Sequence, residues 1–312
     1  MTPTLHTATP TFSIVVPTYQ RPDLLSKCLQ AIARLDYPRD RFEVIVVNDG
    51  SDSPLDTVIV PFRPELSISL VEQPNAGPAA ARNTGAARAK AEFLAFTDDD
   101  CQPEPTWLRE LGECLAQAPE CMVGGSTVNA ETARVCSVTS QLIVEVVYRH
   151  YNADPLRARF LAGNNMAVST SRLREIGGFD AQFRTAEDRE LCDRWLNGGR
   201  RIIYHPAARI RHTRPLTLGS FIRQHFEYGR GAARFHRERR RRRSGTMLAE
   251  SRFHLDVNSW MWSPIRAVRP GQMLAVATLL ATWQASNLAG FLWETLAQYG
   301  TTLGESAPSF SR

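Results

Sequence analysis

Short apolar runs rich in β-branched residues recur along the first hundred positions, and most of them end on a polar cluster. Phe12–Pro17 (FSIVVP), Glu43–Val47 (EVIVV), Ser67–Val71 and Glu92–Thr97 (EFLAFT) are short and largely apolar, which predicts strands, the first two buried on both faces. Between them the period changes. Leu25, Cys28, Leu29 and Ile32 fall at helical spacing behind Asp23, read as the helix cap, and Pro78–Lys90 is an alanine-rich helix with proline in its first turn. Strand–helix alternation of this kind predicts a parallel α/β sheet with right-handed crossovers. Ligands of such sheets sit beyond the carboxyl ends of the strands, where this chain places Thr18-Tyr19, Asn48-Asp49 and Asp98-Asp99-Asp100.

Further along, Trp107–Gln117 and Glu187–Leu196 read as amphipathic helices, and Val123–Val128, Gly163–Val168 and Arg201–Tyr204 as strands. Cys136–Tyr151 is apolar and of open type. Phe221–Arg230 reads as a helix leading into an arginine run, and Pro270–Trp293 has no charged residue in 24 positions. That stretch is long enough to span a bilayer but only moderately apolar.

The chain has 312 residues, 43% hydrophobic and 22% charged, the composition of a globular protein with a sizeable core. Its +5 charge is local. Arg234–Arg243 holds seven Arg and one Glu, a +6 that leaves the remainder at −1, so a uniformly basic nucleic-acid-coating surface is excluded and no nucleic-acid partner is expected. The six cysteines include no CxxC pair, which argues against a zinc ribbon and for reduced thiols. The polar opening MTPTLHTATPT lacks a secretory leader, so a cytoplasmic location is expected, peripheral or anchored at the inner face of a membrane if the basic and apolar C-terminal stretches dock there.

The strongest chemical signal is Asp98-Asp99-Asp100 at a strand end. Three adjacent carboxylates repel one another unless a cation or hydrogen bonds compensate, which suits Mg²⁺ or Mn²⁺ on a substrate phosphate; the plain alternative is a solvated acidic turn. Asn48-Asp49-Gly50-Ser51 is a turn whose Asp49 could face a base or ribose. Arg82 and Asn83 near a helix start suit a nucleotide or a simple helix entry. Glu187-Asp188 opens a helix, where the macrodipole favours acidic residues, and could equally supply a general base. His212 follows a strand and could complete a metal site.

Taken in order, VVPTYQRP (Val15–Pro22), VIVVNDGSD (Val44–Asp52), NAGPAAARNTG (Asn75–Gly85), FTDDD (Phe96–Asp100), GNNMAV (Gly163–Val168), GGFD (Gly177–Asp180) and ED (Glu187-Asp188) resemble the family 2 glycosyltransferases over residues 12–215. The resemblance implies an α/β GT-A (Rossmann-like) fold, with a mixed, mainly parallel sheet flanked by helices and a C-terminal helical extension. It implies a glycosyltransferase domain at 12–218 (nucleotide half 12–102, acceptor half 103–218) after a flexible 1–11, and an extension at 219–312 carrying segments 234–243 and 270–293.

The family pattern implies that Pro17, Thr18 and Tyr19 line the nucleotide pocket, and that Asp49 and Arg82 contact the base, usually uracil. Asp98 and Asp100 would be the acidic positions of the DxD motif, with Asp99 between them and Asp100, Asp98 and His212 around Mn²⁺ or Mg²⁺. Gly163, Asn164 and Asn165 would shape the donor-sugar and acceptor side. Asp188 would be the catalytic base and Glu187 its acidic neighbour. The implied partners are a nucleotide-sugar donor and a sugar, lipid-linked or polysaccharide acceptor; separately, the arginine run and the uncharged stretch suit either an anionic membrane surface along 234–293 or a plain solvated charged segment. A non-catalytic sugar-nucleotide or membrane-docking protein and a sugar-nucleotide nucleotidyltransferase remain as alternatives. The latter normally has a glycine-rich loop where this chain has PTYQRP. No HExxH, GxSxG, Walker A or post-strand GxGxxG sequence occurs.

Overall fold

The computed structural model describes residues 11–130 and 133–305; the polar arm expected at the N-terminus lies, but for Thr11, outside the described residues. The chain divides into two units, Met1–Glu131 with Tyr148–Arg214, and Thr132–Val147 with Pro215–Arg312.

The first unit alternates strands and helices in the order β1 (Phe12–Thr18), α1 (Pro22–Ile32), β2 (Phe42–Asn48), α2 (Asp56–Ile59), β3 (Ile68–Glu72), α3 (Pro78–Arg88) and β4 (Phe93–Phe96). There follow β5 (Cys101–Pro103), α4 (Trp107–Gln117), β6 (Met122–Gly124), β7 (Thr127–Asn129), the end of α5 (Val135–Tyr151), β8 (Met166–Ser169), α6 (Thr170–Glu175), α7 (Glu187–Asn197), β9 (Ile202–Tyr204) and β10 (Ile210–His212). Seven strands form one sheet in the order β3-β2-β1-β4-β8-β6-β9, parallel from β3 to β4 and antiparallel on both sides of β8. A second sheet, β5-β10-β7, borders it in sequence at the DDD turn.

The doubly buried strands follow from the alternation within each run. Phe12, Ile14 and Val16 pack with Leu25, Leu29 and Trp107 on one face, while Val15, Ile45 and Val47 pack with Ala81, Leu191 and Trp195 on the other. Each fully buried Leu or Phe contributes about 1.5–3 kcal/mol, so both faces must stay covered.

Several local readings change. Asp23 is not the cap of α1: Arg21 is, with Pro22 at the first helical position and Asp23 in the first turn, where its charge suits the macrodipole. Val123–Val128 is two strands in different sheets, because the chain leaves β9 after Gly124 and joins β10 from Ser126 onward. In Gly163–Val168 the strand begins only at Met166, and the GNN tripeptide is a turn. Cys136–Tyr151 belongs to helix α5, whose β-branched residues are overridden by packing of its apolar side.

In the second unit, α8 (Leu218–Arg242) starts on a Thr217/Ser220 capping box and runs through the arginine stretch. α9 (Met247–Leu255), α10 (Ser263–Arg266) and α11 (Met273–Glu305) follow. Phe221, Phe253, Trp260, Val276, Leu280 and Trp283 form its core. α8 and α11 approach until a side chain at Gly229 or Gly290 would meet the Asn287 or Phe226 carbonyl oxygen, so backbone contact there requires glycine. The uncharged stretch at 270–293 is a 3-10 turn and most of α11. Among the described residues no helix is long and apolar enough to cross a membrane.

Candidate active site

The site opens where β1 and β4 part. Their pairing runs from Phe12 opposite Phe93 to Val15 opposite Phe96; β4 then stops, while β1 continues alongside β2 to Thr18. Pro17 falls where β4 has ended, so its missing N–H removes no ladder bond. The three aspartates then turn in different directions.

Asp98 Oδ1 accepts from Arg82 Nη2 at 2.7 Å. Asp99 is buried, accepting from Thr18 Oγ1 at 2.8 Å and Arg21 Nη1 at 3.3 Å. Asp100 pairs with Arg21 at 3.1 Å and lies 3.2 Å from His212 Nε2. Burial and the neighbouring Asp100 push Asp99 up to about 6, with Arg21 and Thr18 opposing. Burial would raise Asp100 too, but His212, Arg21 and Arg214 override it and hold that carboxyl well below the usual range.

Arg82 is 3% exposed and shared by two carboxylates, its Nη1 lying 2.8 Å from Glu187 Oε1. Burial opposes its charge, yet Asp98 and Glu187 keep the guanidinium ionised. The 163–165 turn closes over it: a Cβ at Gly163 would meet Arg82 Cζ at 3.0 Å. Gly163 N donates to Asp188 Oδ2 at 3.2 Å, and Arg189 N to Asp188 Oδ1 at 2.7 Å, which fixes a half-buried carboxylate at the start of α7. Ala186, directly before it, has a left-handed backbone (φ 67°) that a non-glycine residue adopts at a cost of about 1–3 kcal/mol. Burial pushes Glu187 up to about 7, Asp188 adding and Arg82 opposing, and burial likewise raises Asp188.

Thr18, Arg82, Asp98, Asp99, Asp100, Gly163, Glu187, Asp188 and His212 are thereby joined through direct contacts and short shared segments. Other expected site residues have partners within the protein. The Asp49 carboxylate accepts from Gln73 Nε2, Ala76 N and Gly77 N and is 5% exposed, so it orders the 73–77 loop. Arg82 is held by the Asp98 and Glu187 carboxylates. Asn165 is fully buried, accepting from Trp107 Nε1 and donating to the Ser126 and Ala208 carbonyls; it pins the turn and has nothing left for a sugar. Asn164 is different: its Oδ1 is buried with no partner, a free acceptor at the turn. Tyr19 is half exposed. Arg21, which bridges Asp99 and Asp100, is the residue sequence reasoning missed; a single cation just after the first strand, facing three aspartates, was the available signal.

Asp100, Cys101 and His212 place donor atoms within 4.8 Å of one another. Burial raises the Cys101 thiol well above its ordinary value, and sulfur is a soft donor that suits neither Mn²⁺ nor Mg²⁺. That leaves a carboxylate held ionised and an imidazole nitrogen 3.2 Å apart, a separation that two ligands of one ion at about 2.1 Å each can span. The pair fits Mn²⁺ or Mg²⁺.

A mostly parallel sheet with acidic strand ends, a carboxylate at a helix start and a metal-competent pair define the GT-A class of sugar-transferring folds. Residues 13–172 match the glycosyl transferase family 2 model and residues 98–301 the glycosyl transferase family group 2 model; the chain belongs to glycosyl transferase family 2. It is 27% identical to glycosyltransferase AglE of Haloferax volcanii over 71% of this chain and 73% of that protein. It is 32% identical to the pre-mycofactocin glycosyltransferase of Mycobacterium tuberculosis over 61% of this chain, and spans only 41% of that longer relative. In fold it is similar to a Pyrobaculum calidifontis mannosyltransferase solved with GDP-Man and Mn²⁺, at a TM-score of 0.67 and 21% identity over 92% of this chain and 88% of that one.

Proposed function

We propose that this glycosyltransferase moves a sugar from a nucleotide diphosphate sugar, UDP-linked, to an acceptor hydroxyl with inversion, in cell-surface polysaccharide or glycolipid synthesis. The observation that carries the reading is the Asp188 carboxylate, held by Gly163 N at 3.2 Å on the turn that covers Arg82 and, through it, Asp98. Six unpaired cysteines accord with a reducing, cytoplasmic setting.

Asp188 takes the proton of the acceptor hydroxyl as that oxygen bonds to the anomeric carbon and the bond to the diphosphate breaks on the opposite face, so one displacement inverts the centre. A carboxyl raised by burial is better matched to this proton transfer than an exposed aspartate. Glu187, tied to Arg82, is not free to do the same; it sets Arg82, which in turn sets Asp98. Asp100 and His212 would hold the divalent ion, and Asp98 would stand at the ribose side. Such an ion, when bound, supplies Lewis-acid stabilisation of the charge on the departing diphosphate. Thr18 and Arg21 keep Asp99 and Asp100 oriented before any ligand arrives.

Incubating the protein with UDP-, GDP- and dTDP-sugars, with Mn²⁺ or Mg²⁺, and following nucleotide release tests the reading. UDP release that depends on the ion and on Asp188 is the expected result. Faster release of GDP would reassign the donor, and binding without release in every case would favour a non-catalytic sugar-nucleotide protein.

A further inference from the structure

Arg21 pairs with two of the three aspartates through one nitrogen. Its Nη1 lies 3.3 Å from Asp99 Oδ1 and 3.1 Å from Asp100 Oδ2. The two carboxylates are 5% and 7% exposed, whereas the Arg21 side chain is 47% exposed and reaches them from solvent. Its backbone is held by the residue before it. Gln20 has a left-handed φ of 57°, strained for a non-glycine residue, and is tied across to the next strand's loop: its N donates to Ser51 Oγ at 2.9 Å and its Nε2 to Asp52 Oδ2 at 2.7 Å. The backbone is thus fixed while the guanidinium stays free to turn.

Charge says what that turning does. Arg21 holds Asp100 Oδ2, and His212 Nε2 faces Oδ1 of the same carboxylate. A divalent ion taken by Oδ1 and His212 would stand across one carboxyl group from a guanidinium, and Arg214 adds positive field there. Two carboxylates and one guanidinium leave a single negative charge; a divalent ion converts it to a single positive one. That surplus disfavours the ion alone and favours its arrival with an anion. A diphosphate is such an anion, and the planar fork of a half-exposed arginine can pass from carboxylate to phosphate. A salt bridge that stays closed throughout is the plainer role, and it would not link the two ligands.

We infer that Arg21 is an exchangeable counter-charge: it opposes the divalent ion at Asp100 until the donor diphosphate draws it away, and so couples ion binding to nucleotide binding. This rests on the ion site and nucleotide donor proposed above. Calorimetric titration of the full chain with Mn²⁺, with and without UDP, tests it. Arg21→Gln should bind Mn²⁺ alone about tenfold more tightly than wild type. With UDP present the two should bind it about equally, so the tightening that UDP brings shrinks by the same factor. Arg21→Lys keeps the charge and should match wild type toward the lone ion, a difference from Arg21→Gln that general damage to the fold would not produce. Arg21→Gln binding Mn²⁺ alone no better than wild type overturns the inference, as does an undiminished effect of UDP; both leave the ion site and the sugar-transfer reading standing. Wild type that takes up no Mn²⁺ even with UDP would overturn the ion site and this inference with it.

Discussion

In the sheet-bearing unit Arg82 is shared by Asp98 and Glu187 at 2.7 and 2.8 Å, whereas in the helical unit Glu294 is shared by Arg230 and Arg234 at 2.9 and 2.6 Å. The elements are the same and the stoichiometry is reversed. With two carboxylates on one buried guanidinium and Asp188 alongside, negative charge is in excess where water is scarce, and Glu187 is pushed up to about 7. With two arginines on one buried carboxylate, and Arg230 also paired with the exposed Glu227 at 3.1 Å, the charges balance and sit on arginine side chains 28–31% exposed, where solvent screens them. The first arrangement is poised to react or to take up a cation. The second is a clamp between α8 and α11.

The largest effect that could break the comparison is on turnover. Asp188→Asn keeps the shape and one acceptor oxygen for the two N–H groups of Gly163 and Arg189, but cannot take up a proton, so transfer should fall by about 10²–10⁴, the usual contribution of a general base. Nucleotide binding by calorimetry should hold. Weakened binding with normal turnover would move Asp188 out of the base role.

Arg82→Met comes next. It strands Asp98 and Glu187, and losing one partner of a buried ion pair costs about 3–5 kcal/mol, read as a lower urea midpoint. If Arg82 instead contacts the base, the melt should barely move and UDP affinity should drop. Arg82→Lys, which keeps the charge but cannot fork between two carboxylates, should recover only part of the loss.

The alternating apolar runs made β1, β2 and β4 and the ends where chemistry gathers legible in the sequence, because doubly buried strands need little information beyond hydrophobicity. The acidic site residues were legible as a set. Their wiring was not: that Asp49 spends its carboxylate on the 73–77 loop and Asn165 its amide on Trp107, Ser126 and Ala208 depends on approaches between segments distant in the chain. Short strands such as β6 and β7 were blurred because three residues carry too little periodicity to show a change of sheet. The arginine run looked like a separate basic segment, yet α8 continues through it, anchored upstream by the Thr217 cap and the Glu294 bridge.

A pH titration of stability sharpens the contrast. Glu187 ionises near 4.5 when unfolded and about 7 when folded, so between those values the folded state keeps a proton that the unfolded state has released. Its contribution is therefore lost as pH rises through that window, at a slope of up to about 1.4 kcal/mol per pH unit, and levels off above it. Glu187→Gln should flatten that slope in urea titrations at successive pH values. An unchanged slope would mean Glu187 is ionised throughout and its bridge to Arg82 is an ordinary salt bridge.

The smallest expected effect belongs to the clamp. Glu294→Gln removes the charge between Arg230 and Arg234 but leaves an amide oxygen to accept from one of them, and both arginines can turn toward water. The cost should be about 1 kcal/mol, well below that of Arg82→Met, since partly exposed partners are screened and released rather than stranded. Thermal melting of the two variants side by side measures the difference. Equal losses would mean that burial of the shared residue, common to Arg82 and Glu294, decides the cost, and that the exposure of its partners does not.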